Sequence, residues 1–564
     1  MTSSHRKADM RASRRHPYRP ARSRTGRTRS STAFRLSLAG VGTLLATGLA
    51  SSHTFALLTD AAAGGPEQIA TAALSPAPTA VAATNSGCTG TALRTNVGLS
   101  WSDSQSATPG AGGGSLISGY SVERSASSSG PFGSVTSVSG SPAPLAASDA
   151  PPIGATSGVF VANTAGQGFP ISESTLTSGS AVAVGSMGNQ VNAVQITPDG
   201  LFAVLAEFGS NQVQVLAWSG SAWSVAKSMV VASPTAVAID PIPNLVGDYV
   251  AYVVSDPGTT VNGTVTPLTI AGSSTTSGTA VTIQHQATPS AIVVSPNGNY
   301  VYVANYNSGT VSAIATATSV VSTIVLPGGA PRPVSIATTF DSSHVYVADR
   351  ANSYIDDIVA SSNTVSAHVA LAAGALNDTV LTTSGNPNIL AMMPTGTSLY
   401  VAEFGTAEVQ VIATALAASP DSIAATISTG AGSQPIDLAP SPNGCTVFVA
   451  DWPSDRVFSI ATSTQVESTV FTATCQTQDP QAMAVTPDNQ YLVVPENYSC
   501  GDVQLVNTST NAVTTIATVG TKPSVVAIQP IPMWYRTTAT HAQWSSIPSL
   551  SVLFPAGWNP GGWQ

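Results

Sequence analysis

The stretch of sequence that decides the fold is TPSAIVVSPNGNYVYVANYNSGTVSAI, residues 288–314. It reads as a short apolar strand, a PNG turn, a second strand VYVA, a polar turn and a third alternating strand. Asn tolerates left-handed backbone geometry and Gly supplies positive φ, so these turns favour tight antiparallel hairpins. A fourth strand, VSTIVLPG at 321–328, follows directly. The stretch therefore predicts a unit of four antiparallel strands.

This unit recurs along the chain. The position of the Pro in SPNG marks each copy, at Pro198, Pro241, Pro296, Phe340, Pro394, Pro442, Pro487 and, in a last partial copy, Pro530. Successive copies start 43 to 55 residues apart. Four strands in each repeat of 40 to 50 residues are typical of a β-propeller. The scarcity of helical periodicity argues against the common solenoids.

The number of blades stays open between seven and eight. Seven copies carry a complete first and second strand, whereas KPSVVAIQPIP (522–532) has a first strand alone. At the other end, GVFVANT (158–164) and AVAVGS (181–186) resemble second and fourth strands without a first. Joining the two ends would make a split eighth blade. Assigning GVFVANT to the preceding domain would leave seven.

The repeat resembles a known family. The strands VYVAN (301–305) and VYVAD (345–349), with NSGTVSAI (307–314) after the first, are similar to the YVTN repeats of bacterial secreted and surface-layer propellers. The fold is also similar to the wider lactonase-like propeller group. The resemblance covers about residues 190–530 and implies the fold much more specifically than any activity.

A smaller β module precedes the repeats. GLSWSDS (98–104), followed by ISGYSVERS (117–125), resembles a fibronectin type III module with Trp101 and Tyr120 as core aromatics. We therefore predict an all-β chain, a β-propeller of seven or eight four-stranded blades preceded by a small sandwich-like module. The predicted segments are a leader (1–62), the fibronectin type III-like segment (76–140), a linker (141–157), the propeller (158–532) and a Trp-rich tail (533–564).

Charge divides the chain into two parts. Residues 1–35 hold 11 Lys and Arg and a single acid, whereas residues 36–564 hold eight bases and 27 acids. The apolar run 36–50 after the basic stretch, followed by small residues, is typical of a secretory signal, with cleavage expected between Ala50 and Ala63. We expect a secreted or cell-surface protein with no stable membrane span after signal removal. The acidic body argues against a nucleic-acid partner, because it has too few bases to replace the counterions of a phosphate backbone.

One polar position recurs nine residues after the marker. Its residues are Glu207, Asn305, Asp349, Glu403, Asp451 and Glu496, and the divergent second unit reaches Asp256 instead. All end a second strand, so they should share one face of the disc. Oxygen ligands of this kind suit Ca²⁺ or Mg²⁺, and they are our candidates for ligand or cation binding. Alternatively, each accepts a hydrogen bond from a turn at a strand end.

The remaining chemistry-bearing residues give few motifs. The sequence contains neither an HExxH helix nor a GxSxG elbow, so we predict no catalytic residues. Cys475 and Cys500 flank one blade on the same face and are candidates for a disulfide, whereas Cys88 and Cys445 have no assigned partner. The tail carries four of the eight tryptophans and would form a lid on the ring or a glycan contact surface.

These observations favour a non-catalytic scaffold that recognises protein or glycan at the cell surface. An extracellular metal-dependent lactonase-like hydrolase or lyase is the alternative, and a structural matrix component is the second alternative. An open metal position held by ring carboxylates would distinguish the enzyme.

Overall fold

The computed structural model describes five short segments of the front region, most of residues 158–541, and two segments of the tail. The described ranges are 79–85, 97–102, 119–125, 133–139, 146–149, 158–541, 544–545 and 552–556, without 173, 185–190, 245, 257, 259–261, 284–287, 377–388, 417–419, 453, 473–479, 481, 497–500, 517–518 and 521. The predicted leader, 1–62, lies outside them.

Described residues form 42 strands and one short 3-10 helix, Gly272–Ser274. The front strands are β1 Thr79–Asn85, β2 Val97–Ser102, β3 Gly119–Ser125, β4 Gly133–Ser139 and β5 Ala146–Asp149. The next four are β6 Gly158–Asn163, β7 Gln167–Ser172, β8 Thr177–Ser178 and β9 Val182–Ala183. Blades 1 to 3 follow with β10 Val191–Ile196, β11 Phe202–Glu207, β12 Gln212–Trp218, β13 Trp223–Val230, β14 Pro234–Ile239, β15 Tyr249–Ser255, β16 Thr264–Ile270, β17 Thr276–Ser277, β18 Val281–Thr282, β19 Pro289–Val294, β20 Tyr300–Asn305, β21 Thr310–Ala315 and β22 Val321–Val325.

The second half of the ring continues the same pattern. Its strands are β23 Pro333–Thr338, β24 His344–Asp349, β25 Tyr354–Val359, β26 Thr364–Ala370, β27 Leu390–Met392, β28 Ser398–Glu403, β29 Glu408–Ala413, β30 Ser422–Ser428, β31 Pro435–Pro440, β32 Thr446–Asp451, β33 Arg456–Ala461, β34 Val466–Thr472, β35 Ala484–Val485, β36 Tyr491–Pro495, β37 Val503–Asn507, β38 Val513–Ile516 and β39 Pro523–Ile528. The tail adds β40 Ile531–His541, β41 Trp544–Ser545 and β42 Val552–Ala556.

The chain forms a propeller of eight blades. Blades 1 to 7 are the consecutive sheets that begin at β10, β14, β19, β23, β27, β31 and β35, and blade 8 joins β39 to β6 and β7, with β8 and β9 outermost. In blade 8, Pro523 pairs with Asn163 and Ile528 with Val159. The first strand of blade 8 contacts the first strands of blades 7 and 1, which closes the ring. The split eighth blade is therefore confirmed, and the seven-bladed alternative is wrong.

The turns between first and second strands follow the predicted chemistry. In blade 3 the amide of Gly298 donates to the Ser295 carbonyl at 2.8 Å, and Gly298 has φ +67°. Asn297 Oδ1 accepts from the amide of Asn299 at 3.0 Å. Where the glycine is absent, Ser342 and Asn489 adopt the same left-handed conformation. Local residue choice thus sets each hairpin.

Apolar residues fill the space between neighbouring blades. Second strands are buried almost throughout, whereas outer strands such as β26 alternate between half-buried and exposed residues. Between blades 8 and 1, the fully buried Phe160 ring packs edge-on against Trp223, with ring centroids 5.9 Å apart. A Cβ on Gly168 would lie 2.2 Å from Phe160 Cζ, so this glycine makes room for the ring.

Tyrosines of the second strands also connect consecutive blades. Each is fully buried, and its hydroxyl donates to a side chain in the next blade. The pairs are Tyr302 with Asn363 at 3.3 Å, Tyr346 with Asp421 at 3.3 Å and Tyr400 with Gln465 at 3.0 Å. The VYVA pattern therefore supplies both core volume and a directional contact between blades.

Part of the tail pairs with the front region. Strands β1, β2 and β5 form one sheet, and a second sheet has the order β4, β3, β40, β41, with β42 also on β40. Gly119 of β3 lies opposite Thr540, and Ser125 opposite Trp534. Tyr120 is fully buried, as expected for a core aromatic. The tail strand β40 therefore completes a sheet of the front region instead of covering the ring as a lid.

None of the described residues forms a helix with the length and apolar character needed to span a membrane.

The closure of blade 8 predicts a specific loss of stability. Replacing Phe160→Ala should lower the free energy of unfolding by about 3 to 5 kcal/mol, because a fully buried ring leaves a cavity. Phe208→Ala is the matched control, since Phe208 is 42% exposed and should cost less than about 1 kcal/mol. Urea denaturation followed by tryptophan fluorescence measures both. Equal losses in the two variants would contradict the assigned packing.

Candidate functional site

The face of the disc that carries the hairpins between second and third strands and the connections between blades is called the turn face here. One residue from each blade lies at the end of the second strand on this face, and the set is called the polar ring. Its members are Asn163, Glu207, Ser255, Asn305, Asp349, Glu403, Asp451 and Glu496. The structure thus brings all six sequence-predicted residues to one face. In blade 2 the position is held by Ser255, which pairs with Pro234, and not by Asp256.

The polar ring is buried beneath the turns. Every member is at most 3% exposed. The carboxylates therefore do not form an open acidic surface, although the sequence placed them correctly on one face. Among the described residues there is no group of three or more His, Cys, Asp or Glu side chains arranged to hold a metal ion. Binding of Ca²⁺ or Mg²⁺ stays a prediction.

The shorter side chains of the polar ring hold the turns in place. Asp349 Oδ1 accepts from the amides of Arg332 at 2.7 Å and Ala351 at 3.1 Å, and Asn352 donates to Oδ2. One carboxylate thereby connects the loop between blades 3 and 4 to the hairpin that follows β24. Asp451 does the same in blade 6, where its Oδ1 accepts from the Gln434 amide at 2.6 Å.

Asn163 and Asp451 show two variations of this role. Asn163 Oδ1 accepts from the amides of Ala165 and Gln167, each at 3.0 Å, while its Nδ2 donates to the Val519 carbonyl. Asp451 Oδ2 lies 3.2 Å from Arg456 Nη2 and is largely buried with it. These contacts match the alternative prediction, in which the ring residues accept hydrogen bonds from turns.

The three glutamates behave differently because their side chains are one methylene longer. Each places one carboxyl oxygen on a neighbouring side chain, namely Ser210 for Glu207 at 2.8 Å, Thr406 for Glu403 at 2.5 Å and Gln504 for Glu496 at 3.3 Å. The other oxygen, Oε1, is buried in all three and has no hydrogen-bond partner among the described residues. A charged carboxylate in this environment is strongly disfavoured.

Burial accordingly raises the pKa of all three carboxyl groups. The pKa of Glu403 rises to about 7, with desolvation as the main cause and the charge of Glu408 as a further contribution. The pKa of Glu496 also rises to about 7, mainly by desolvation, with Asp502 and Asp455 adding to it. The pKa of Glu207 is raised by the same desolvation. Protonated glutamic acid is therefore the form that the fold favours in slightly acidic solution.

Sequence reasoning missed a second set of residues, directly after the polar ring. At this position four blades carry aromatic side chains that are half-exposed or exposed, and they are called the aromatic set here: Phe208, Tyr306, Phe404 and Trp452. The signal was present ten residues after each repeat marker, in FGSN, YNSG, FGTA and WPSD.

The aromatic set is partly organised by its own contacts. The rings of Phe404 and Trp452, in blades 5 and 6, have centroids 6.3 Å apart and are tilted by 33°. Tyr306 lies under the guanidinium of Arg332, whose Cζ is 5.0 Å from the ring centroid. Polar side chains follow these rings in the same turns. Asn307 donates to Thr288, and the hydroxyls of Ser308 and Ser210 donate to backbone carbonyls. The turn face thus offers apolar ring surfaces beside neutral hydrogen-bonding groups.

A separate polar cluster joins blades 4 and 5 at the opposite face. His344 opens β24, and its Nδ1 lies 2.8 Å from Asp357 Oδ1. Ser366 donates to the other oxygen of Asp357 at 2.6 Å. Burial raises the pKa of Asp421 to about 6, and the neighbouring charge of Asp357 adds to the rise. The cluster is closely packed and its carboxyl groups are at most 9% exposed.

The predicted disulfide between Cys475 and Cys500 falls outside the described residues, as does Cys88. Cys445, which precedes β32, is disulfide-bonded, and its partner is not among the described residues. The pairing of Cys475 with Cys500 therefore stays a prediction.

Comparison with protein families gives one match. A lactonase family, described as a seven-bladed β-propeller, matches residues 224–326, which is less than a fifth of the chain. These residues contain every strand of blades 2 and 3 and all but the first residue of the last strand of blade 1. No curated protein matches the sequence.

Several solved structures resemble the propeller at low sequence identity. Hydrazine synthase from Kuenenia stuttgartiensis is 17% identical, with 58% of this chain and 96% of that chain covered and a TM-score of 0.41. A candidate 6-phosphogluconolactonase from Bacteroides uniformis is 14% identical, with 66% and 99% covered and a TM-score of 0.45. Dihydro-heme d1 dehydrogenase is 11% identical, with 66% and 74% covered and a TM-score of 0.48. At these values the similarities carry no information about activity.

The raised pKa values of Glu403 and Glu496 predict how stability depends on pH. Between their ordinary value of 4.5 and about 7, the folded chain binds more protons than the unfolded chain at these positions. The free energy of unfolding should therefore fall as pH rises through this window and level off above it. Thermal melts at pH 5, 6, 7 and 8 measure the effect.

Between pH 5 and pH 8, the melting temperature of the double variant Glu403→Gln with Glu496→Gln should fall less than that of the unmodified protein. Glutamine keeps the shape and an accepting oxygen but cannot ionise. Asp248→Asn, in a surface loop of blade 2, is the control and should leave the pH dependence unchanged. An identical slope in the double variant and the unmodified protein would show that these glutamates do not cause it.

Proposed function

We propose that this protein is an extracellular binding protein whose turn face recognises carbohydrate. The observation that carries the proposal is the aromatic set, four aromatic side chains repeated at one position on one face. Phe208 is exposed and the other three rings are partly buried, Phe404 and Trp452 against the core. Aromatic rings that keep part of their surface accessible contribute much of the binding energy in recognition sites.

Carbohydrate fits this face better than other partners do. One face of a sugar ring carries C–H groups that pack on aromatic rings, and its hydroxyls need neutral donors and acceptors around the rim. The turn residues supply such groups in the Asn, Ser and Thr side chains that follow each aromatic residue. Only 8% of the residues are charged, so most of the surface consists of neutral polar groups that suit a hydroxyl-rich ligand.

A binding role agrees with the burial of the polar ring. Catalytic acids and bases must come within hydrogen-bond reach of a substrate. The ring carboxyl groups are buried, and the aspartates among them are occupied by backbone amides of the turns. They position the loops that carry the aromatic set, which makes them structural supports of the binding face.

We place this binding face outside the cell on the basis of the leader. A basic stretch followed by the apolar run 36–50 is typical of an export signal. The fibronectin type III-like module expected from the sequence is part of this proposal, and the two sheets that contain β1 to β5, β40 and β42 support it. Such a module would serve as the spacer that holds the propeller away from the cell surface.

A lactonase-like activity is the second candidate, and the family match to residues 224–326 is the observation that favours it. A hydrolase of this type should release acid from sugar lactones at a rate proportional to enzyme concentration. We expect no hydrolysis above the uncatalysed rate for six-membered sugar lactones, with or without added Ca²⁺ or Mg²⁺. A pH-stat assay measures it, and saturable turnover would favour the enzyme over the binding protein.

The carbohydrate proposal predicts that single aromatic substitutions weaken binding. Binding to a panel of immobilised polysaccharides should identify a ligand, and Trp452→Ala or Phe208→Ala should lower the affinity for it by about tenfold or more. Val230→Ala is the matched control, because Val230 is an apolar residue 85% exposed on the outer strand of blade 1. It should bind as the unmodified protein does.

Equal binding by the aromatic variants and the control would contradict the assignment to the turn face. Absence of binding to every polysaccharide tested would contradict the carbohydrate proposal itself. Circular dichroism confirms that each variant is folded before its affinity is measured.

A further inference from the structure

We infer that the turn face between blades 3 and 4 holds a site for the carboxylate of an acidic sugar, built from Tyr306, Arg332 and Arg350. This inference rests on the proposed carbohydrate-binding function and names the class of ligand.

Basic residues of the propeller are concentrated on one face. Residues 158–528 contain only five Lys and Arg, which are Lys227, Arg332, Arg350, Arg456 and Lys522. Lys227 lies on the outer strand of blade 1, whereas the other four lie beside the turns of the turn face. A surface that is otherwise acidic thus places its few cations around the aromatic set. Such placement favours an anionic ligand on this face.

The backbones of two of these basic residues are adjacent. The amide of Arg350 donates to the carbonyl of Arg332 at 3.0 Å, so the two side chains leave the backbone from neighbouring points. The buried carboxylate of Asp349 fixes this arrangement by accepting from the Arg332 amide at 2.7 Å. Its oxygens are taken up by the two loops and Asn352, so it does not pair with either guanidinium.

Arg332 is held in a definite orientation. Its Nη1 donates to Asn307 Oδ1 at 2.6 Å, and its guanidinium lies over the Tyr306 ring. This hydrogen bond uses one of the five N–H donors of the guanidinium, so a pair of neighbouring N–H groups can still bind a carboxylate. Because the ring and the amide already fix the side chain, binding would cost less rotamer entropy than at a free arginine.

Arg350 supplies the second cation. It is half-exposed, and within the described residues no carboxylate lies within ion-pair distance of its guanidinium. Arg456, by contrast, is already paired with Asp451 and donates to the Thr429 carbonyl. The pair Arg332 and Arg350 is therefore the place on this face where a carboxylate would meet two guanidinium groups beside an aromatic ring.

The test compares matched acidic and neutral ligands on the full chain. Oligomers of galacturonic acid and of galactose differ in a carboxylate against a hydroxymethyl group, and isothermal titration calorimetry measures the affinity for each. We expect the acidic oligomer to bind more tightly at low salt and the difference to shrink as salt is added. A sulfated galactose oligomer shows whether any anion suffices or a carboxylate is required.

The variants Arg350→Gln and Arg332→Gln should weaken binding of the acidic oligomer roughly 10- to 100-fold, as expected for loss of a charge-assisted hydrogen bond. They should weaken binding of the neutral oligomer by a much smaller factor, so that the preference for the acidic oligomer falls about tenfold or more. Lys227→Gln, which removes the one propeller cation away from the turn face, is the control and should change neither affinity.

The outcomes separate the two proposals. Suppose that the neutral oligomers bind. If the acidic oligomers then bind no more tightly, or if neither arginine variant changes their affinity, the carboxylate site is overturned and the carbohydrate function stands. Failure of all oligomers and polysaccharides to bind would overturn both. Stronger binding of the sulfated than of the carboxylated oligomer would overturn the assignment to a carboxylate.

Discussion

The pairing of β39 with β6 is the contact on which the rest of the structure depends. A row of blades that did not close would leave two apolar sheet faces in water, one on blade 7 and one on blade 1. The hydrogen bonds between Pro523–Ile528 and Gly158–Asn163 complete blade 8 and bury both faces. Asn163 adds a side-chain bond to the Val519 carbonyl at 3.0 Å. Closure thereby fixes the relative positions of all the loops on the turn face.

Within the closed ring, the same polar position serves two physical purposes. Asp349 and Asp451 reach the amides of two loops and order them at little electrostatic cost, because charge-assisted hydrogen bonds replace the lost water. The longer glutamates bond to a neighbouring side chain with one carboxyl oxygen, and the other oxygen is buried without a partner among the described residues. The resulting desolvation raises the pKa of these carboxyl groups. The loops of blades 4 and 6 are thus the ones that an aspartate of the polar ring holds through backbone amides. Arg350 and Trp452 extend from those loops.

The sequence was sufficient for the repeat, the hairpin turns and the common face of the ring residues, because each depends on local signals such as PNG and on a fixed spacing. It was insufficient where distant segments meet. The partner of β6 lies at the other end of the propeller sequence, so the sequence leaves the number of blades undetermined. The pairing of Pro523 with Asn163 determines it. Burial of Glu403 and its neighbours also depends on loops folding over them. The pairing of β40 with β3 has no local signature at all.

The placement of β40 has a consequence for synthesis of the chain. Strands β1 to β5 are made first, yet the sheet containing β3 and β4 gains its central neighbour only when residues 531–541 emerge. Strand β6 also gains one of its neighbours late, because Asn163 and its hydrogen-bond partner Val519 are 356 residues apart in the chain. At typical rates of translation this interval is roughly 20 to 70 s. One edge of β3 and one edge of β6 thus stay unpaired until the last part of the chain is made, and these edges need protection from aggregation until then.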